Sequence, residues 1–211
     1  MKLVNASYEI LTPIDGQAEL KMIEKVGRTC YKSEDKITDD SAEKFVRMLI
    51  KNKHEAMLEH SMLSVKFVVD RGVTHELVRH RLSAFAQEST RYCRYSDDRF
   101  GNELTFIKPC FWNERSYEYA IWEHICEDAE FRYMDLISGG VPPEQARSIL
   151  PTSIKSEIVV TANYREWKHI LNLRAVGTTG KPHPQMLEVM IPLLKELQEK
   201  IPVVFEDIEV N

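Results

Sequence analysis

The sequence predicts an α+β fold, a small, largely antiparallel sheet packed with several helices, and three observations carry that prediction. Two segments alternate with the period of a half-buried strand: Leu63, Val65, Phe67 and Val69 within Ser61–Asp70, and Ile154, Ser156, Ile158, Val160 and Ala162 along Ile154–Ala162. Longer segments place their apolar residues with helical spacing instead. No strand-like segment runs into GxGxxG or a P-loop sequence. A dinucleotide bound here must therefore be held by side chains, not by a Rossmann turn.

Taken in chain order, Val4–Leu11 reads as a third strand, and Ala42–Asn52 as a helix behind Asp40, a candidate N-cap. Val73–Ser83 reads as a helix with Leu77 and Val78 inward. Arg79, His80 and Arg81 then fall at its C-terminal end, where cations answer the helix dipole. Ala84–Tyr95 reads as a loop, long for a plain connection and rich in hydrogen-bonding groups, as functional loops often are. Glu114–Ile137 sets Trp122, Ile125, Cys126, Ala129, Tyr133, Leu136 and Ile137 on one face and stops at Gly139-Gly140. Pro142-Pro143 opens a short helix to Leu150, closed by Pro151. Arg165–Arg174 and Pro184–Lys200 complete the set. In the first of these, Trp167, Ile170 and Leu171 form the buried stripe, and Arg174 lies seven residues on from Trp167, on the same face. A cation there needs a polar or anionic partner. It is either a capping arginine with a snorkelling stem or a ligand contact.

A chain of 211 residues with 43% hydrophobic content suits one domain, residues 1–211, with a sizeable core. The net charge of -5 and pI near 5.8 argue against a nucleic-acid binder. No apolar run approaches a membrane span, and the first residues lack a signal-peptide layout. Cys30, Cys93, Cys110 and Cys126 form no CxxC pair and no zinc-finger spacing, which suits a reducing cytoplasm. No metal is expected. His54-Glu55 with His60 is not HExxH, and His75 and His80, five apart, do not share a helix face.

Against this acidic background one stretch stands out. Between Lys66 and Lys108 every cation other than histidine is arginine: Arg71, Arg79, Arg81, Arg91, Arg94 and Arg99. Arginine without lysine suggests bidentate recognition of phosphate or carboxylate and stacking on flat rings. A local cluster on an acidic chain points to a small anion, such as a phosphorylated aromatic molecule. Ser89 has no GxSxG context and reads as a hydrogen-bond donor to phosphate, not a nucleophile. Cys93 beside Arg94 could be acidified, but a buried, inert thiol is the commoner outcome.

Arg79-His80-Arg81, seven residues, then Ser89 followed by Arg91-Tyr92, resembles the defining motif of the flavin-dependent thymidylate synthases. The resemblance runs from about Arg28 to Arg174. It takes in His54-Glu55 and Glu59-His60, Arg147 before Leu150-Pro151, and Asn163 through Asn172-Leu173-Arg174. It implies methylation of dUMP at uracil C5 to give dTMP. The one-carbon unit comes from 5,10-methylenetetrahydrofolate and the reducing equivalents from NADPH through bound FAD. It also implies a homotetramer whose sites draw on more than one subunit. Residue by residue, FAD falls to His54, Arg79, His80, Arg81, Gln87, Asn163, Tyr164, Arg165 and His169. The dUMP contacts fall to Glu76, Leu77, Val78, Arg79, Gln87, Glu88, Ser89, Thr90, Arg91 and Arg147. Arg174 faces the uracil ring as the catalytic residue.

The chain departs from the family pattern in places. Ala84 and Ala86 stand where many members carry Ser and Asn, and Glu76 where many carry glutamine. After Arg174 an insertion, Val176 to Gln185, replaces a shorter His-Ala-Gln run, with His183 and Gln185 as its nearest equivalents. Two alternatives stay open at this point: a flavoprotein of the same scaffold using another nucleotide, and a nucleotide-binding regulatory protein without catalysis.

Overall fold

The structure is a computed structural model and describes residues 1–93, 95–97 and 101–210. Arg94 and Arg99, and with them the proposed acidification of Cys93, lie outside the described residues. The predicted α+β class holds: helices surround a small antiparallel sheet. That sheet has four strands in the order β2-β3-β6-β4, formed by Ser7–Ile10, Met62–Asp70, Lys155–Asn163 and Ala84–Gln87. β3 and β6 run in opposite directions. The Arg71 amide at the end of one donates to Thr152 O before the start of the other, and the Tyr164 amide donates to Ser61 O at their opposite ends. Their alternation is as predicted, with Leu63, Val65, Phe67, Val69, Ile158, Val160 and Ala162 wholly buried. The expected strand Val4–Leu11 is instead two. β1 (Lys2–Val4) breaks off at Asn5-Ala6 and pairs in parallel with β5 (Thr105–Ile107) in a separate sheet, while β2 joins the main one.

The chain forms two compact units, each assembled from three segments. The first comprises Met1–Ser7, Phe67–Arg79 and Phe85–Val159. Its core is Tyr95, Leu104, Phe106, Cys126, Tyr133, Ile137, Ala146 and Ile154, and half-buried Cys93 packs on it as a small hydrophobe. Helix α4 (Tyr117–Ser138) begins three residues later than expected, because Ser116 Oγ accepts the Tyr119 amide and fixes the cap there. Ile125, expected inward, is 54% exposed, and Tyr119 takes the inner face with Cys126, Ala129, Tyr133 and Ile137. The segment after Pro142 is helix α5 (Pro143–Ala146) followed by a 3₁₀ turn, Arg147–Ile149.

Helix α3 (Arg71–Leu77) ends six residues before the expected Ser83. Asp70 Oδ1 caps its start through the Val73 amide, 2.7 Å. Leu77 is buried, but Val78 is 40% exposed and already in a turn. Arg79, His80 and Arg81 are thus not the last turn of a helix, and the dipole explanation of their charge falls away. The expected loop Ala84–Tyr95 begins with a strand, β4.

The second unit comprises Tyr8–Lys66, His80–Ala84 and the chain from Val160 onward. Helix α1 (Gly16–Thr29) was absent from the sequence reading, although Leu20, Ile23, Glu24 and Gly27 show helical spacing and Asp15 caps Gln17 and Ala18. Its buried Glu24 is satisfied by Arg28 at 2.7 Å and by Ser41 at 2.8 Å. Helix α2 (Ser41–Lys51) follows Asp40, whose carboxylate takes the Thr38 hydroxyl and caps nothing. Helix α6 (Tyr164–Leu171) passes into a π-helical turn, Asn172–Val176, which Gly177 closes. Gly177 has φ +82°, and a Cβ there would stand 2.7 Å from Pro182 Cδ. Helix α7 (Pro184–Lys200) and the short α8 (Pro202–Phe205) finish the unit. His183 Nδ1 accepts the Gln185 amide at 3.3 Å, so part of the atypical segment after Arg174 serves as the cap of α7.

Candidate active site

The residues singled out in the sequence fall into two groups, one in each unit. In the first unit the turn after β4 carries Ser89, Thr90 and Arg91, and the 3₁₀ turn after α5 carries Arg147. Arg147 Nη1 donates to the buried Thr90 hydroxyl at 3.4 Å across 57 residues of sequence. Ser89 Oγ accepts the Arg91 amide at 3.3 Å, and its carbonyl accepts the Tyr92 and Cys93 amides. Arg91 Nε meets the Glu144 carboxylate at 3.0 Å. Two guanidiniums and two hydroxyls thus lie on these two turns, which the Arg147–Thr90 contact ties together, and one guanidinium already holds a carboxylate.

Gln87 and Glu88 serve the framework of this group. Gln87 Nε2 donates to Thr74 Oγ1 at 2.9 Å and Ser156 Oγ at 3.1 Å, which satisfies two fully buried hydroxyls. Glu88 accepts from the Tyr95 hydroxyl, Lys155 Nζ and the Glu157 amide at 3.0, 2.9 and 3.2 Å. Burial and then the Glu88 charge push the Tyr95 phenol well above its usual range. Burial works against the Lys155 charge, but Glu88 and Glu157 outweigh it and hold that ammonium above its ordinary value. Leu77 lies in the core, Glu76 is half-buried on α3, and Val78 is exposed.

In the second unit His80 is the centre. It is 5% exposed, between two exposed arginines, Arg79 and Arg81, which have no side-chain partner among the described residues. Arg174, on the π-helical turn, donates Nε–H to His80 Nε2 at 3.1 Å. This is the polar partner that its place beyond the Trp167 stripe demands. Glu166 Oε1 lies 3.6 Å from His80 Nδ1, and the His169 ring meets His80 edge-on at 5.8 Å between centroids. Burial, then the Arg174 charge, then His169 hold His80 down to about 4 from the ordinary 6.5, so the ring is neutral at pH 7. Burial pushes the Glu166 carboxyl up, with His169 opposing.

That shift has a consequence for stability. The folded value is depressed below the unfolded one, so from pH 6.5 down to about 4 the unfolded chain binds the proton and the folded chain does not. Stability therefore falls as pH drops through this window, by up to roughly 3 kcal/mol, and falls no further from this group below it. Melting temperatures taken between pH 7 and 4 should show this slope in wild type and lose part of it in His80→Gln. Equal slopes in the two proteins would refute the neutral, buried His80.

Beside this cluster lies a cleft of about 730 Å³, lined among others by Leu82, Asn163, Arg165, Glu166, His169 and Asn172. Its size falls in the range of about 300–1,000 Å³ typical of cofactor sites. Arg165 in its wall pairs with Glu59 at 2.5 Å and with Glu55 at 3.9 Å. His54 is exposed just before the 3₁₀ turn Glu55–His60. Asn163 Oδ1 caps α6 through the Glu166 amide at 2.8 Å, and Tyr164, 1% exposed, packs edge-on against Phe205. Tyr164 is therefore buried in the framework, with its amide already given to Ser61 O. The ligating atoms of His80, Glu166 and His169 lie within 4.8 Å of one another. Arg174 already occupies His80 Nε2, so only Nδ1 of that ring is left for any further partner. Glu166 was not singled out from sequence. Its signal was its place on the Trp167 side of α6, next to the buried stripe.

With this geometry in hand, comparison with known proteins decides the family. The model of the thymidylate synthase complementing protein family matches residues 14–203. The chain belongs to that family. A flavin-dependent thymidylate synthase of Corynebacterium glutamicum is 29% identical over 98% of this chain and 85% of its own length. The enzyme of the same name from Pyrococcus furiosus is 31% identical over 94% of this chain and 78% of its own. Among solved structures, the UMP/dUMP methylase PolB of Streptomyces cacaoi, bound with 5-Br dUMP, superposes with a TM-score of 0.79. It is 22% identical, covers 98% of this chain and 96% of its own, and shares the fold. The resemblance read from Arg79 through Arg91 is therefore correct.

Proposed function

We propose that this protein converts dUMP to dTMP, taking the one-carbon unit from 5,10-methylenetetrahydrofolate and reducing equivalents from NADPH through FAD. The observation that carries the nucleotide half is that Arg147 reaches Thr90 at 3.4 Å, on the turn that also carries Ser89 and Arg91. Paired guanidiniums and hydroxyls fit a phosphate monoester dianion. FAD also fits the residues present. Arg79 and Arg81 are exposed guanidiniums suited to a pyrophosphate, and the cleft carries Arg165, Asn163 and His169 in its wall. When bound, FAD supplies the relay of reducing equivalents from NADPH. Arg165 must exchange Glu59 and Glu55 for the cofactor. Arg174 holds a positive charge beside the pyrimidine, where negative charge develops as N3 ionises and C5 becomes nucleophilic. A guanidinium donates there without giving up a proton.

The deciding experiment is visible absorbance of the purified protein, followed by dUMP-dependent NADPH oxidation and detection of dTMP. A colourless protein, or NADPH oxidation without dTMP, would overturn the reading. Arg91→Ala and Arg147→Ala should each weaken dUMP binding by ~1.5–3 kcal/mol, roughly 10- to 150-fold, with flavin content intact. Calorimetric titration with dUMP checks this, and normal affinity in either variant removes that residue from the phosphate site.

We also infer a single catalytic domain and a cytoplasmic homotetramer. Neither unit is continuous in sequence, which supports one domain, and no disulfide joins the cysteines among the described residues. No helix among the described residues is long and apolar enough to cross a membrane. Cofactor that binds the assembled form alone stabilises it by mass action. Dilution should release flavin in step with loss of the tetramer. A monomer in light scattering that keeps stoichiometric FAD excludes this.

A further inference from the structure

Glu166 has no part in the function described so far, yet it is a carboxylate buried to 7% exposure on α6. Asn163 caps its backbone amide, which fixes where its side chain starts. Its Oε1 lies 3.6 Å from His80 Nδ1, outside hydrogen-bond range but close enough for its field to act in so buried a place. On the other side of the same ring, His80 Nε2 accepts the Arg174 Nε–H at 3.1 Å. A neutral imidazole has one N–H and one lone pair. If Nε2 accepts, the proton is on Nδ1, the nitrogen that faces Glu166. The carboxylate favours an N–H dipole pointing toward it, and the Arg174 cation favours a lone pair toward itself. Both fields select one tautomer.

We propose that Glu166 is a positioning residue: it fixes the Nδ1–H tautomer of His80, so that an uncharged nitrogen holds Arg174 by its Nε–H without cancelling the guanidinium charge. The choice of group matters. A carboxylate in place of His80 would hold Arg174 more strongly but neutralise the charge needed next to the pyrimidine. A histidine in the other tautomer would oppose an N–H to an N–H and push Arg174 away. The catalytic consequence rests on the reading of Arg174 as the group facing the uracil ring; the tautomer does not.

The test has two readouts. The first is the His80 tautomer in the purified holoenzyme and in flavin-stripped protein, by ¹⁵N–¹H spectra of histidine-labelled samples, with His80→Gln identifying the signal among the seven histidines. Wild type should show Nδ1 protonated and Nε2 bare. Glu166→Leu should shift the ring toward Nε2–H, and Glu166→Gln, which keeps an acceptor, should restore much of the wild-type pattern. The second is kinetic. Outer-shell partners of metal-bound histidines are worth about 10- to 100-fold, and by analogy a loss in kcat of that order is expected for Glu166→Leu, with KM for dUMP changed far less and partial recovery in Glu166→Gln. Wild-type His80 protonated on Nε2 overturns the proposal, even if Glu166→Leu folds poorly. So does Glu166→Leu with wild-type kcat. Absence of dTMP formation in wild type itself overturns the functional reading, while the tautomer still decides the role of Glu166.

Discussion

Replacing Arg174 by alanine is expected to lower kcat for dTMP formation by about 100- to 1,000-fold while FAD stays bound, the cost of losing one fixed donor to a developing anion. Flavin should survive because the guanidiniums proposed for it are Arg79, Arg81 and Arg165, and Arg165 is held by Glu59 and Glu55, not by Arg174. Lysine should rescue poorly. Arg174 meets His80 through Nε, and the planar fork beyond that nitrogen projects the charge in a fixed direction. A lysine ammonium has no counterpart to Nε, so it can satisfy His80 or the substrate but not both. Steady-state dTMP formation, with flavin absorbance per subunit as the control, measures the effect. A flavin-loaded Arg174→Ala protein within tenfold of wild type would show that another group carries the uracil charge.

The parts of this molecule that could be read from sequence were those whose signal is local. The strands β3 and β6 bury one face, so their alternation survives in Leu63 to Val69 and Ile154 to Ala162 and was read almost to the residue. β4 and β5, of four and three residues, are too short to show any period, and the polar residues around β4 read as loop. Helix α3 was overextended because Leu77-Val78 looks like a helical pair, whereas the chain turns at Val78 and leaves it in solvent. Helix α1 was missed despite a capping aspartate, since its inner face includes Glu24, whose burial depends on Arg28 and on Ser41 in the next helix. The arginine motif was legible by composition and spacing alone. What it does in three dimensions was not. His80 is bonded to a residue 94 positions away, and its neutrality follows from burial and from two neighbours that only the fold supplies. The π-helical turn that carries Arg174 has no sequence signature either, although such turns recur at functional sites.

The geometry around His80 depends on where α6 sits, and that depends on Trp167. Its indole is fully buried, and Nε1 donates to the Leu63 carbonyl of β3 at 2.9 Å. Glu166 and His169 flank it in sequence, and Arg174 follows two turns later, so one side chain sets the height and rotation of the helix that bears all three. Trp167→Ala should cost ~3–5 kcal/mol for the lost packing. Loss of the indole donor to the Leu63 carbonyl adds about 0.5–1.5 kcal/mol. Against a total stability of ~5–15 kcal/mol that is a large fraction, equivalent to a fall in melting temperature of roughly 10–25 °C for a chain of this size. Trp167→Phe separates the two terms, since it keeps much of the ring and removes the donor. It should lose about 1–3 kcal/mol and remain folded, with a measurable fall in kcat because α6 is less firmly placed over His80. Denaturant melts of both variants, with flavin content and kcat for the phenylalanine one, make the comparison. If Trp167→Ala melts within a few degrees of wild type, α6 is held by other contacts and the tryptophan does not set the position of Arg174.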